Sequence, residues 1–282
     1  MKTNYLRIGL LTLVVSFASC SKDDADNSTT TETPTVMTEA QVEADIKTEI
    51  QAEDFSNDFS GMYDEIPTAL GKGAVVIPKG PKICDLQPEG AFSGTNLNYV
   101  YDLGTQGCTR NGKNIKGKLT ISVNVISKAI TFTFTNFQQG EYTLNGAMII
   151  TRSLNDKKQR VINTQLRRLK IQSPDGIVDK SSAYVQTQIA GNDTETEADD
   201  EFSTTGTWTT IFEDGKQNVV TIKNPLIIKT ACASVGLAPR YVKGSIEFKI
   251  RGNLGTLDFG DGACSSKWTL TVNKKTIEIA RL

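Results

Sequence analysis

The stretch Lys118-Leu-Thr-Ile-Ser-Val-Asn-Val-Ile126 alternates apolar and polar residues, and Ala129-Ile-Thr-Phe-Thr-Phe-Thr-Asn-Phe137 does so again directly after it. Successive side chains of a strand point to opposite faces. A period of two over runs this long therefore marks antiparallel strands with one apolar face and one wet face. The pattern continues, less regularly, through Tyr142 to Thr151, Val161 to Ile171, Tyr184 to Ile189, Gly206 to Phe212 and Val219 to Ile222. It returns at Ser245 to Ile250, Trp268 to Val272 and Thr276 to Ile279. Turn signals separate most of the runs: Asn111-Gly112, Asn145-Gly146, Pro174-Asp175-Gly176, Asp214-Gly215 and Arg251-Gly252-Asn253. Asn145-Gly146 fits equally a bulge inside one longer strand. Residues 67–282 are thus expected to form a mainly β domain of about ten to thirteen strands, as a large antiparallel curved sheet, a sandwich or an open barrel.

Ahead of the sheet the period changes. Thr38 stands three residues before Gln41, the spacing of a capping box, and Val42, Ile46 and Ile50 recur every fourth residue. This predicts a helix from about Glu39 to Ala52 within a helical segment 37–66 that Pro67 ends. Residues 20–36, which include Asn-Ser-Thr-Thr-Thr-Glu-Thr-Pro-Thr-Val36, have no periodic apolar face and read as a flexible tether.

Four cysteines follow Cys20: Cys84, Cys108, Cys232 and Cys264. An even number in an exported chain suggests disulfides, and four cysteines allow three connectivities. An internal repeat bears on the choice. Asp102-Leu-Gly-Thr-Gln-Gly-Cys108 and Asp258-Phe-Gly-Asp-Gly-Ala-Cys264 share the order Asp, apolar, Gly, three residues, Cys, and each has another Cys upstream. The economical reading is two related β units stapled locally, Cys84 to Cys108 and Cys232 to Cys264.

The first twenty residues look like an address. Lys2 and Arg7 precede an apolar run from Ile8 to Phe17, far shorter than the ~20 residues that span a bilayer. Ala18 and Ser19 then lead to Cys20. A small residue directly before Cys resembles the lipobox of bacterial lipoproteins, although Phe17 stands where Leu is usual. The resemblance implies a signal peptide over 1–19, removed before Cys20, with acyl chains (palmitate among them) on that Cys. Two or more such chains hold a protein stably on a membrane, at ~0.8 kcal/mol per buried CH₂. The next residues, Ser21-Lys22-Asp23-Asp24, begin an acidic run. A run of this kind resembles the export signal of surface lipoproteins in Bacteroidota-type bacteria and implies the outer leaflet of the outer membrane. In the folded part, Asp258-Phe-Gly-Asp-Gly-x-Cys264 before a C-terminal hairpin, Gly140-Glu-Tyr-Thr-Leu-Asn-Gly146 and Gly117-Lys-Leu look like a group of Bacteroidota-type lipoproteins. That group brings no activity to carry over.

Composition removes several functions. The chain holds 31 Lys+Arg against 32 Asp+Glu, and this near balance argues against a nucleic-acid partner. It has no histidine, which removes Ser-His-Asp and Cys-His nucleophile systems and His metal ligands. Asp258 and Asp261 fall well short of the six to eight oxygens of a calcium site, and a structural turn is the expectation there. Gly71-Lys-Gly73 lacks P-loop spacing, the cysteines lack zinc-knuckle spacing, and Asp258-Phe-Gly260 has no other kinase signature beside it. No pair of carboxylates stands out for glycoside hydrolysis. Most aromatics should be core, but Trp208 with a neighbouring Tyr, if exposed, would make a stacking platform for sugars. The basic cluster Arg160, Arg167, Arg168 and Lys170 reads as the wet face of a strand. The acids Asp193 to Glu201 read as a mobile loop.

The expectation is a non-enzymatic lipid-anchored outer-membrane module without cofactor or metal. It would bind a glycan, a protein or an apolar ligand, or serve as envelope scaffold. The alternatives are a periplasm-facing lipid or lipoprotein carrier and a carboxylate-dependent hydrolase.

Overall fold

The computed structural model describes residues 38, 40–42, 44–46, 66, 79–110, 112–174, 176–194, 196–235, 241–264 and 267–279. The expected signal peptide, Cys20, Ser21, Lys22, Asp23, Asp24, the expected tether and most of 47–78 lie outside them.

The first strands are β1 (Ala91–Ser93), β2 (Asn96–Asp102), β3 (Cys108–Arg110), β4 (Lys113–Asn124) and β5 (Ile130–Gln139). The long central ones are β6 (Tyr142–Leu154), β7 (Arg160–Ser173), β8 (Gly176–Ala190), β9 (Glu201–Phe212) and β10 (Gln217–Lys229). The last are β11 (Tyr241–Ile250), β12 (Asn253–Asp261), β13 (Trp268–Val272) and β14 (Lys275–Ile279). They form a single 14-stranded antiparallel sheet in which each strand pairs with the next along the chain, except that short β3 lies off the path beside β4. The sheet is open: β1 and β14 are its two ends. Of the architectures the alternation allowed, the large curved sheet is the one adopted. Most neighbouring strands of this meander are joined by short hairpin loops, which the Gly- and Asn-rich turns supply, while β8–β9 and β10–β11 have longer connections.

The curvature has a visible origin. Register shifts occur between Lys116 and Lys118 in β4, Phe134 and Phe137 in β5, Asn145 and Ala147 in β6, and Leu166 and Leu169 in β7. These bulges lie on four neighbouring strands, and each extra residue bends and twists its strand. At Gly117 φ is +87°, and an added Cβ would lie 2.1 Å from the carbonyl oxygen of Asn136, so only glycine fits. Asn145-Gly146 is therefore a bulge rather than a hairpin turn, and the Asn145 side chain accepts the backbone N–H of Asn136 at 2.8 Å. The bulge also resets the alternation, so that both Phe134 and Phe137 face the core, with ring centroids 5.6 Å apart.

One face of the sheet carries two apolar clusters. Cross-strand pairs build the first: Leu97 opposite Val123, Val123 opposite Ile130, Ile130 opposite Ile150, with Tyr99, Ile121, Phe132 and Met148 in the adjoining row. The second joins Trp208, Val220, Phe248, Leu257, Phe259, Trp268 and Leu270. Full burial of each such side chain contributes about 1.5–3 kcal/mol. The helical residues 40–42 and 44–46 press Val42 and Ile46 into this second cluster. The capping box forms: the Gln41 N–H donates to Thr38 Oγ1 at 3.3 Å, and the Thr38 N–H donates to Gln41 Oε1 at 2.9 Å. Arg251 ties the helix to the sheet through Asp45, with Nε 3.1 Å from Oδ2, while its guanidinium lies 4.4 Å above the Phe212 ring.

The two Cys-containing units are related in structure. Cys84 joins Cys108 and Cys232 joins Cys264, with Cα separations of 6.3 and 5.2 Å. In each unit the motif Asp caps its own turn: Asp102 Oδ1 accepts the Gly104 N–H at 3.0 Å, and Asp258 Oδ1 accepts the Gly260 N–H at 2.8 Å. The similarity runs further than the motif. Strand β4 holds Lys118-Leu-Thr-Ile-Ser-Val-Asn124, and Lys267-Trp-Thr-Leu-Thr-Val-Asn273 leads into and along β13. Each Cys pair closes a loop of 24 or 32 residues. A Cys232→Ala/Cys264→Ala chain is expected to lose about 3–4 kcal/mol and to melt about 10 °C lower, read by thermal circular dichroism.

Candidate functional site on the open face

The opposite face of the sheet points to solvent, and β-branched hydroxyl residues dominate its C-terminal half. Thr207, Thr221, Glu247, Thr256, Thr271 and Thr276 stand side by side on six successive strands, β9 to β14. Thr suits such positions because its branched side chain packs on the pleat while its hydroxyl stays wet. The Thr271 and Thr276 hydroxyls share a hydrogen bond of 2.9 Å.

A second row runs beside the first, two residues nearer the hairpin tips. Val219 stands opposite Lys249, and Lys249 opposite Leu254. Val219 and Leu254 are 39% and 68% exposed, large apolar side chains on the solvent face, which also exposes Val185 and Ile211 further along the sheet. The β13–β14 turn closes the row. Its central residues Asn273 and Lys274 have φ of 51° and 69°, the left-handed pair of a tight two-residue hairpin turn. The second row and the middle of the first, from Thr221 to Thr271, line a hollow of about 690 Å³ that also takes in Asn273 and Lys274. That volume lies within the usual range for small-molecule sites.

The charges of the hollow are unequal. Glu247 is held by Lys223, with Nζ 3.4 Å from Oε1. Lys249 and Lys274 have no carboxylate within ion-pair distance among the described residues. The hollow thus sets a row of hydroxyls beside the row Val219, Lys249 and Leu254, with Lys274 at the turn that closes it.

The other sequence-selected residues have structural places. Trp208 and Tyr184 are buried on the inner face, ring centroids 5.7 Å apart, so the exposed aromatic platform does not form. The two residues sit where the alternation sends them, into the core. Arg160 departs from the wet-face expectation. It pairs with Asp200, and its Nε donates to Gln188 Oε1 at 2.9 Å. Gln188 Nε2 donates to Asp200 Oδ1 at 2.7 Å, and Thr230 donates to the Asp200 carbonyl. Asp200 is only 3% exposed, and a carboxylate so buried must be paired, which ties down one end of the acidic loop. Further along that loop, Thr194 donates to Asp199 at 2.9 Å, and Glu201 pairs with Lys229 at 3.3 Å. Arg167, Arg168 and Lys170 are exposed as expected.

Asp258 and Asp261 serve turns: Asp261 Oδ1 accepts the Ala263 N–H at 3.0 Å. Among the described residues no three Cys, Asp or Glu side chains gather at metal-binding distance. At the β9–β10 turn, the Lys216 backbone N–H holds the Asp214 carboxyl below the usual carboxylate range, and Arg251 adds to this. Burial pushes the Tyr99 phenol up.

No protein-family model, curated protein or solved structure matches this chain. No described helix is long and apolar enough to cross a membrane.

Proposed function

We propose that this chain is a lipid-anchored lipoprotein of the outer membrane, displayed outward, whose open sheet face acts as a non-enzymatic binding module. The observation that carries the binding reading is the hollow of about 690 Å³ on the solvent face, with exposed Leu254 beside hydroxyls and charges. Isolated surface apolar residues need no explanation, but an apolar patch inside a concavity is the usual mark of a binding surface. The anchor reading rests on the Ala18-Ser19-Cys20 pattern and the acidic run after it. A carrier that encloses its lipid would need instead an apolar cavity along the inner face of the sheet. Such a space would leave accessible surface on the side chains lining it. Leu97, Tyr99, Ile121, Phe132, Phe259 and Trp268 on the inner face have at most 1%.

The test is protease accessibility on intact cells. A tagged wild-type chain is expected to be digested. A chain with Lys22, Asp23 and Asp24 replaced by Ala is expected to be protected, because the export run is gone. Protection of both would sink outward display and return the carrier and scaffold readings to the front.

A further inference from the structure

We infer that the open-face hollow is a site for a small anionic amphiphile, one apolar chain or ring system carrying a single carboxylate. This deepens the binding-module reading and rests on it.

The apolar part of the argument is positional. Val219, Lys249 and Leu254 are direct cross-strand neighbours on β10, β11 and β12. A lysine in such a row lays its methylene stem along its apolar neighbours and carries its ammonium outward. The row therefore offers a continuous hydrocarbon strip with a positive end. The strip needs Gly255, which faces inward next to Leu254. A Cβ there would lie 2.3 Å from the Phe248 ring, so the ring occupies that place and β12 stays close to β11.

The electrostatic part is the imbalance of charge. The one acid of the hollow, Glu247, is neutralised by Lys223. Lys249 and Lys274 are left to set the local potential. Lys274 is held at the turn tip by the left-handed backbone it shares with Asn273. A cation or a zwitterion gains nothing here. A carboxylate gains attraction from two ammonium groups, while its chain covers Val219 and Leu254, which now face water. The Thr221 and Thr256 hydroxyls on the other flank can serve a polar substituent on the chain. The hollow is wide open to solvent, so exchange should be fast and affinity moderate, with a salt-dependent part.

The experiment uses the chain from Ser21 onward, which lacks both the apolar leader and Cys20 and needs no detergent. Three fluorescent probes of equal chain length are compared: dansylamino-undecanoic acid, its methyl ester and the corresponding quaternary ammonium. The acid is expected to bind about tenfold or more tightly than the other two, and to weaken as salt is raised. A Lys249→Glu/Lys274→Glu chain is expected to lose that preference, and Leu254→Asp to lose binding of the acid. Both variants should keep the parent melting curve, since all three side chains are solvent-facing. Equal binding of the three probes, or indifference to the Lys and Leu254 variants, overturns the inference while leaving the hollow as a binding surface. Failure of all three to bind also overturns it. Display on the cell surface is tested apart, by the protease experiment.

Discussion

A chain whose residues 1–20 are exchanged for an ordinary cleavable export signal is expected to leave the membrane fraction completely and to be recovered soluble after export. A lipobox Cys normally carries three acyl chains. One chain alone gives only marginal, reversible membrane binding, whereas two or more hold stably, because each buried CH₂ contributes ~0.8 kcal/mol. Three chains together therefore outweigh any single contact in the folded part by an order of magnitude. No described helix is long enough to substitute for them. Fractionation followed by immunoblotting checks this, and mass spectrometry of the wild type should find the acyl mass on the N-terminal Cys. The folded domain should be unaffected, with the same thermal transition as the wild-type chain. Retention of that exchanged chain in the membrane fraction would show that another feature holds the protein there and would remove the lipoprotein reading.

Trp268→Ala is expected to cost about 3–5 kcal/mol of folding stability, the range for deleting a fully buried aromatic side chain. Trp268 has no accessible surface, and its ring meets Phe259 edge-on with centroids 4.9 Å apart. Its indole N–H donates to the Tyr241 carbonyl at 3.2 Å, which ties β13 to the start of β11 across β12. The substitution leaves a cavity beside Phe259 and removes the hydrogen bond to the Tyr241 carbonyl, and the two costs add. Trp268→Phe keeps most of the apolar contact and should lose less, roughly 1–3 kcal/mol, mainly for the lost indole hydrogen bond. Leu254→Ala on the open face should fall within about 0.5 kcal/mol of wild type. Urea unfolding with a common slope separates the three. If Trp268→Ala matched Leu254→Ala, the C-terminal cluster would not be a core.

The alternation in β4, β5 and β13 was legible because each of those strands has one face wholly in a core and one in water. The Asp-x-Gly turns, the capping box at Thr38 and Gln41, and the pairing of neighbouring cysteines were legible for a related reason: each is a local device whose partners lie close in the chain. Strand β8 was recognised only from Tyr184 onward, although it begins at Gly176. Its inward positions Lys180 and Ser182 are polar and buried, and a buried lysine reads as a wet residue in any pattern of alternation. The Lys180 ammonium lies 5.3 Å from the face of the Trp208 ring, a neighbour on the next strand, and this contact favours a cation there. In β12, Gly255 interrupts the pattern, and the Phe248 ring that fills its place comes from β11. The second half of the internal repeat, Lys267 to Asn273 against Lys118 to Asn124, is plain in the letters. It gains meaning once both stretches are seen beside an Asp-capped, disulfide-stapled turn.

Local chemistry in the chain decides the class of fold, the turns, the helix cap and the proposed address at Cys20, because those depend on neighbours within a few residues. Strand register decides the rest. It chose one open sheet over a sandwich or barrel, sent Trp208 and Tyr184 inward, and drew Arg160 to Asp200 across 40 residues. It also set Val219, Lys249 and Leu254 side by side and brought them to one hollow with Lys274. A one-residue slip in any of those strands would turn its side chains to the other face, so the hollow exists only when the whole ladder is in place.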